Sequence, residues 1–272
     1  MEKIESPIKD NVAETLYIPL YMRAMETAQP NGIISDPKAC ELIEKIDYDF
    51  SRFRSGSKSA MGVAIRVRHF DQKVASFIKA NPNPIVVTIG CGLDTRYYRI
   101  TDKTNAIFYE LDLPEVVGLR NQLLPELADD ITIGASMLET GWMDMLSEKH
   151  PQGNFIFVIE GVFMYFGTDR VRKVLVDISE RFSGASIHFD VVSKWMSRNS
   201  HHHDTVKYTK ASFRFGCDDD REFEGWSPRL KYVSTQLFSD VKEWRRLFLQ
   251  GLLMKLVPRF KYAGRMLEYR IQ

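Results

Sequence analysis

The chain has 272 residues, 44% hydrophobic and 27% charged, enough to bury a full core as one large α/β domain with an added cap. Its 37 basic side chains nearly balance 36 acidic ones, which argues against a nucleic-acid backbone as the main partner. Cys40, Cys91 and Cys217 lack C-x-x-C spacing, the N-terminus has no apolar core and no apolar run reaches ~18 residues, so free thiols, a cytoplasmic location and no membrane partner are expected.

In chain order, residues 1–83 read as a helical cap. Apolar residues recur at helical spacing over 13–28 and 37–46, separated by the Gln29-Pro30-Asn31-Gly32 turn, and Asp36-Pro37 is a helix start. A longer helical stretch over 58–80 ends at Asn81-Pro82-Asn83-Pro84, where proline forbids continuation. From residue 84 to 272 the pattern becomes strand, helix, strand. Strands are predicted at 85–89, 106–111, 131–135, 155–160 and 185–190, with helices at 113–124, 139–149 and 169–182. Strands as apolar as Ile85-Val86-Val87-Thr88-Ile89 belong in a parallel sheet covered on both faces. Right-handed crossovers then give a doubly wound, Rossmann-like sheet whose ligand crevice lies at the carboxyl ends of its strands. Two later strands, 231–238 and 265–271, flank a predicted helix at 239–249 and bring the mostly parallel sheet to seven strands. Residues 193–230 show little periodicity and carry the acid run Asp218-Asp219-Asp220, so they are expected to be an insertion covering the second substrate.

The first strand ends in Gly90-Cys91-Gly92, where missing side chains let a ligand approach the backbone. A nicotinamide fingerprint requires a third glycine at the position of Thr95, opening a helix beneath a pyrophosphate. Its absence favours a cofactor with adenosine but no diphosphate, S-adenosylmethionine being the obvious one. An NAD-linked oxidoreductase is the alternative, disfavoured further because no Tyr-x-x-x-Lys pair occurs. Glu110 and Asp112 end the second strand, where an acid accepts hydrogen bonds from ribose hydroxyls, and period-two alternation puts both on one face.

Ile89-Gly90-Cys91-Gly92-Leu93-Asp94-Thr95-Arg96 with Arg99, then Phe108-Tyr109-Glu110-Leu111-Asp112-Leu113-Pro114, resembles the signature of the leucine carboxyl methyltransferases and the related tetracenomycin-type polyketide O-methyltransferases. The resemblance extends to Arg23 ahead of Asp36-Pro37, Arg66 with Arg68, Glu160-Gly161-Val162-Phe163-Met164-Tyr165, and a stretch from Phe213 to Leu230 that is closer to the bacterial branch. It implies a class I S-adenosylmethionine-dependent methyltransferase fold. One departure stands out: Ser136 takes the place where many members carry an aspartate for the adenine amino group, so Ser136 or the Met137 backbone is expected there.

The resemblance also implies roles. Arg66 and Arg23 would pair with the methionyl carboxylate, where a guanidinium gives two-point geometry. Glu160 would face the methionyl ammonium or the sulfonium; the alternative is a buried ion pair with an arginine such as Arg96. Asp94, Arg96 and Arg99 are expected to staple the turn, and Cys91 to be only a small residue within it. His201-His202-His203 project in different directions, so no metal is expected there. His188, inside a strand, reads as a core or crevice histidine. Tyr165, Trp195, Phe213, Phe215 and Trp226 are a region that could wall an acceptor pocket. No catalytic base stands out, with Tyr165, His201 and His202 the candidates. The expected activity is methylation of a carboxylate or hydroxyl on a small, polyketide-like acceptor by a monomer or homodimer; a non-catalytic S-adenosylmethionine-binding protein is a further alternative.

Overall fold

The computed structural model describes residues 3–200, 209, 211–247, 252–253 and 256–272. Its N-terminal part holds strand β1 (Ile4–Glu5), helices α1 (Tyr17–Thr27) and α2 (Pro37–Lys45), strand β2 (Ile46–Asp47) and the long helix α3 (Ser57–Ala80). Asp36 caps α2 by accepting from the Ala39 N–H, and Pro37 occupies the first turn, where its missing donor costs nothing. β1 and β2 pair in parallel, a two-residue ribbon that no periodicity announces.

The main sheet contains β3 (Pro84–Ile89), β4 (Ile107–Asp112), β5 (Asp130–Gly134), β6 (Asn154–Ile159), β7 (Ser186–Val192), β8 (Leu230–Leu237) and β9 (Gly264–Ile271). Between them lie α4 (Arg96–Arg99), α5 (Pro114–Leu123), α6 (Gly141–Lys149), α7 (Thr168–Arg181), α8 (Lys194–Arg198) and α9 (Pro258–Lys261). The strand order is β5-β4-β3-β6-β7-β9-β8, parallel except for β9, which runs antiparallel to both its neighbours. The order reverses beside β3, so the β3 and β6 carboxyl ends diverge and open a crevice.

Both faces of the sheet are covered. Val87, Ile89 and Phe157 pack with Leu146 of α6 and Val174 and Ile178 of α7, whereas Val86, Phe108 and Ile156 face Phe70, Val74 and Ile78 of α3. Helix α3 therefore covers the sheet instead of belonging to a separate cap. The rest of the N-terminal part shares a core with α5, in which Tyr17, Leu20, Leu42 and Phe53 meet Val116 and Leu119.

Of the regular helix expected over 239–249, residues 248–249 lie outside the described residues and the rest is replaced by 3-10 turns at Phe238–Asp240 and Lys242–Leu247. The buried Trp244 indole donates to the Phe238 carbonyl, which ties the segment back on itself. The insertion is anchored by Arg265 of β9, whose guanidinium donates to the carbonyls of Cys217 and Asp218. Among the described residues no helix is long and apolar enough to cross a membrane.

Candidate active site

A cavity of about 770 Å³ opens over the carboxyl ends of β3, β4, β6 and β7, a size usual for small-molecule sites. Its floor is the glycine turn. Gly90 (φ +70°) and Gly92 (φ +50°) adopt left-handed backbone, and the Gly90 and Cys91 N–H groups both donate to the Leu111 carbonyl, at 2.8 and 3.0 Å. A Cβ on Gly90 would lie 2.5 Å from Val162 Cγ2, so close approach of the next loop requires glycine as well. Cys91 lines the cavity, but burial pushes its thiol up, so it stays protonated and unreactive.

Asp112 lines the cavity with its carboxylate held from behind. Oδ2 accepts from the Gly92 N–H and Oδ1 from the Leu113 N–H, each at 2.7 Å. Its free lone pairs suit the hydroxyls of a ribose. Ser136 and Met137 line the next part of the wall, Ser136 Oγ accepting from the Leu138 N–H at 3.3 Å. Thr88 Oγ1, on the same wall, is buried with no hydrogen-bond partner among the described residues. A glycine-floored cavity with an orphaned hydroxyl and a rigid carboxylate fits the adenosine half of S-adenosylmethionine.

Glu110 is not part of this wall. Alternation does place it on the face of Asp112, but two residues earlier on a strand means roughly 6.6 Å deeper, beneath the turn. It is 1% exposed, and neither carboxylate oxygen has a hydrogen-bond partner among the described residues. Burial raises its pKa to about 8 despite the opposing charge of Arg120.

Beside the turn runs a network of buried ion pairs. Arg96 holds Asp71 and Asp94 at 2.9 Å and Glu160 at 2.6 Å. Arg99 holds Asp71 at 2.7 Å, Asp94 at 2.9 Å and Asp36 at 3.0 Å. Asp94, Arg96 and Arg99 thus staple the turn to α3 and to the start of α2. Against the upward push of burial, Arg96 and Arg99 hold the Asp94 carboxyl far below the usual range.

Arg23 and Arg66 both reach the cavity wall, but neither presents a free fork. Arg23 Nε pairs with Asp36 at 2.8 Å and Nη2 donates to the Leu93 carbonyl at 2.6 Å. Arg66 Nε pairs with Glu160 at 3.1 Å and Nη1 with Asp190 at 3.0 Å. Each therefore has one terminal nitrogen unengaged among the described residues, so a ligand carboxylate meets a partly committed guanidinium instead of a wholly free one. Glu160 makes the buried ion pair with Arg96 that was the alternative expectation, bridges it to Arg66 and also lines the cavity; burial nonetheless raises its carboxyl.

Asp190, near the end of β7, is a site residue that pattern reading missed. Its Oδ1 accepts from the Gly161 N–H at 2.6 Å while Oδ2 binds Arg66. The available signal was an acid inside the buried strand Ser186–Val192, much as an acid closing a buried strand singled out Glu160.

The other half of the cavity is apolar. Trp195 and Phe213 line it as expected, joined by Phe238, Trp244 and Phe260 from the β8–β9 connection. Phe215 and Trp226 do not line it: Phe215 is buried in the sheet-face core and Trp226 packs against that core. Tyr165 lines the cavity edge-on to Phe213, ring centroids 5.4 Å apart, and burial raises its phenol so that it stays protonated. His188 is a core residue. Its Nε2 meets Ser186 Oγ at 3.1 Å, Nδ1 has no partner among the described residues, and burial pushes its pKa down to about 4. His201, His202 and His203 lie outside the described residues.

Residues 17–179 match the leucine carboxyl methyltransferase family. The tetracenomycin polyketide synthesis O-methyltransferase TcmP of Streptomyces glaucescens is 29% identical over 267 residues, covering 95% of this chain and 96% of its own. The S-adenosyl-L-methionine-dependent methyltransferase dpfgK of Gibberella zeae is 27% identical over 276 residues, covering 93% and 91%. Among solved structures, a candidate methyltransferase from Thermobifida fusca superposes with a TM-score of 0.55 at 11% identity, covering 92% of this chain and 94% of its own. That likeness speaks for the fold alone.

Proposed function

The chain belongs to the leucine carboxyl methyltransferase family of S-adenosylmethionine-dependent methyltransferases, which removes the nicotinamide-linked alternative, and on that premise we propose that it is an O-methyltransferase for a small acceptor carrying a carboxylate or hydroxyl. One observation carries this reading. A polar, glycine-floored half and an aromatic half form one continuous cavity, so donor and acceptor can meet inside it. Asp112 takes the ribose hydroxyls, and Ser136 with the Met137 backbone takes the adenine edge. Arg66 and Arg23 each turn their remaining terminal nitrogen to the methionyl carboxylate, and Glu160 faces the ammonium. Bound S-adenosylmethionine supplies an electrophilic methyl group.

What remains for the chain is to align an oxygen nucleophile and keep water out. Alignment of this kind supplies roughly 7–11 kcal/mol. A carboxylate acceptor, with a pKa of about 4, is already ionised at neutral pH, whereas a phenol at about 10 needs a base. Among the described residues the aromatic half offers none: the Tyr165 phenol keeps its proton and both Asp190 oxygens are engaged. Carboxylate acceptors are therefore favoured. N-terminal residues between Asp10 and Arg23, with parts of 193–230, act as the cover that closes over the acceptor.

The test incubates the protein with S-adenosylmethionine and a panel of aromatic and aliphatic acids and phenols. Products are read by mass spectrometry before and after alkaline hydrolysis. Alkali-labile methyl esters are expected. Alkali-stable ethers alone would move the acceptor to a hydroxyl, and donor binding without any methylated product would favour the non-catalytic alternative.

A further inference from the structure

The ion-pair network beside the glycine turn does not balance. It runs without a break from Arg23 through Asp36, Arg99, Asp71 and Asp94, Arg96, Glu160 and Arg66 to Asp190, four guanidiniums against five carboxylates. No side chain in it is more than 17% exposed, so solvent does little to offset the excess negative charge. The deficit has a location. Asp36, Asp71, Asp94 and Glu160 each touch two arginines, whereas Asp190, among the described residues, touches Arg66 alone.

Asp190 lines the cavity, and its orientation is set by the Gly161 N–H on Oδ1. Glu160 and Asp190 stand at the ends of β6 and β7, between the glycine floor over β3 and β4 and the aromatic wall of Trp195 and Phe213. A methyl group passing from donor to acceptor crosses this boundary. The remaining basic residues on the cavity wall, Lys58, Arg170 and Arg214, are exposed at the mouth and screened by water.

We propose that Asp190 is a specificity-determining residue that favours the cationic methyl donor over the neutral product. The inference rests on S-adenosylmethionine being the donor. Donor and product share the methionyl carboxylate and ammonium, and only the donor carries the sulfonium charge. The donor brings the cation the network lacks, and methyl transfer removes it again. S-adenosylhomocysteine then leaves Asp190 with Arg66 as its one cationic partner among the described residues, which favours product release.

Titration calorimetry with three ligands tests this: S-adenosylmethionine, S-adenosylhomocysteine, and sinefungin, which carries an ammonium where the sulfonium stands. The native protein is expected to bind both cationic ligands at least about tenfold more tightly than S-adenosylhomocysteine, a difference of 1.4 kcal/mol. In Asp190→Asn, whose amide oxygen can still accept from Gly161, that preference should shrink about tenfold while S-adenosylhomocysteine affinity stays within about threefold. A purely structural role through Arg66 would instead weaken all three ligands alike, because Arg66 serves the shared carboxylate; that result overturns the proposal. So does S-adenosylhomocysteine binding to the native protein as tightly as the donor, a comparison that needs no variant. If none of the three binds, the donor assignment itself falls.

Discussion

The two ends of the cavity are built by different means. At the donor end Gly90, Cys91, Gly92, Asp112, Ser136 and Met137 come from the ends of three successive strands and are set largely by backbone geometry and backbone hydrogen bonds. At the acceptor end Trp195 and Phe213 come from the β7–β8 connection and Phe238, Trp244 and Phe260 from the β8–β9 connection, and packed side chains form the wall. A backbone site tolerates little change in shape, whereas a wall of side chains can be re-cut by substitution without moving the sheet. The first arrangement suits a constant ligand and the second a ligand that differs between relatives.

The largest expected effect comes from a change that both ends feel. Arg96 is fully buried among Asp71, Asp94 and Glu160. Arg96→Met takes one of two arginine partners from each of these three carboxylates, and breaking a buried ion-pair network from one side costs about 3–5 kcal/mol. Scanning calorimetry should show a fall in Tm of many degrees, with loss of donor binding and activity together. A Tm within a degree or two of the native value would mean the network is not structural.

Gly90→Ala breaks the donor end alone. Left-handed backbone costs a residue with a Cβ roughly 1–2 kcal/mol, and here the added carbon also collides with Val162. Donor affinity should fall about tenfold or more by calorimetry, with Tm lowered only modestly. Unchanged affinity would show that the turn does not carry the ligand.

Glu110 sharpens the comparison by showing what lies beneath the donor end. Its folded pKa of about 8 exceeds that of an unfolded glutamate, about 4.3, so the native state holds more protons across that window. Native stability therefore falls as pH rises from about 5 to about 8. Glu110→Gln removes this penalty. Urea midpoints for native protein and variant should diverge progressively with rising pH in favour of the variant; parallel curves would place the carboxylate in a more polar setting.

Legibility in the sequence divides along the same line. The glycine turn, the Asp36-Pro37 helix start and all seven main strands follow from local periodicity and backbone chemistry, and these place Gly90, Gly92 and Asp112. Depth along a strand is not local, so Glu110 and Asp112 looked equivalent although one is beneath the floor. Partners distant in sequence are equally hidden: nothing near Arg66 points to Asp190 across 124 residues. Aromatic density marked 193–230 as a wall, yet it could not separate Phe213 from Phe215, neighbours that face the cavity and the core respectively. Trp195→Ala tests the acceptor end that this reading outlined. Removing its ring, which meets Phe260 edge-on at 5.8 Å, should raise the acceptor KM about fivefold while donor Kd stays put. A shift in donor Kd of similar size would deny that the two ends are independent.

The smallest expected effect returns to the donor end, at Ser136 on the cavity wall. Ser136 offers a neutral hydroxyl to the adenine edge, and its oxygen already accepts from the Leu138 N–H at 3.3 Å. Charge-assisted hydrogen bonds are roughly twice as strong as neutral ones, so Ser136→Asp should tighten donor binding by about twofold to fivefold. Adenine is common to donor and product, so S-adenosylhomocysteine should tighten by the same factor, leaving their ratio unchanged. Adenosine itself should follow both in calorimetry. If only the cationic donor gained, the new carboxylate would be acting through long-range charge, and the adenine edge would have to be placed elsewhere on the wall.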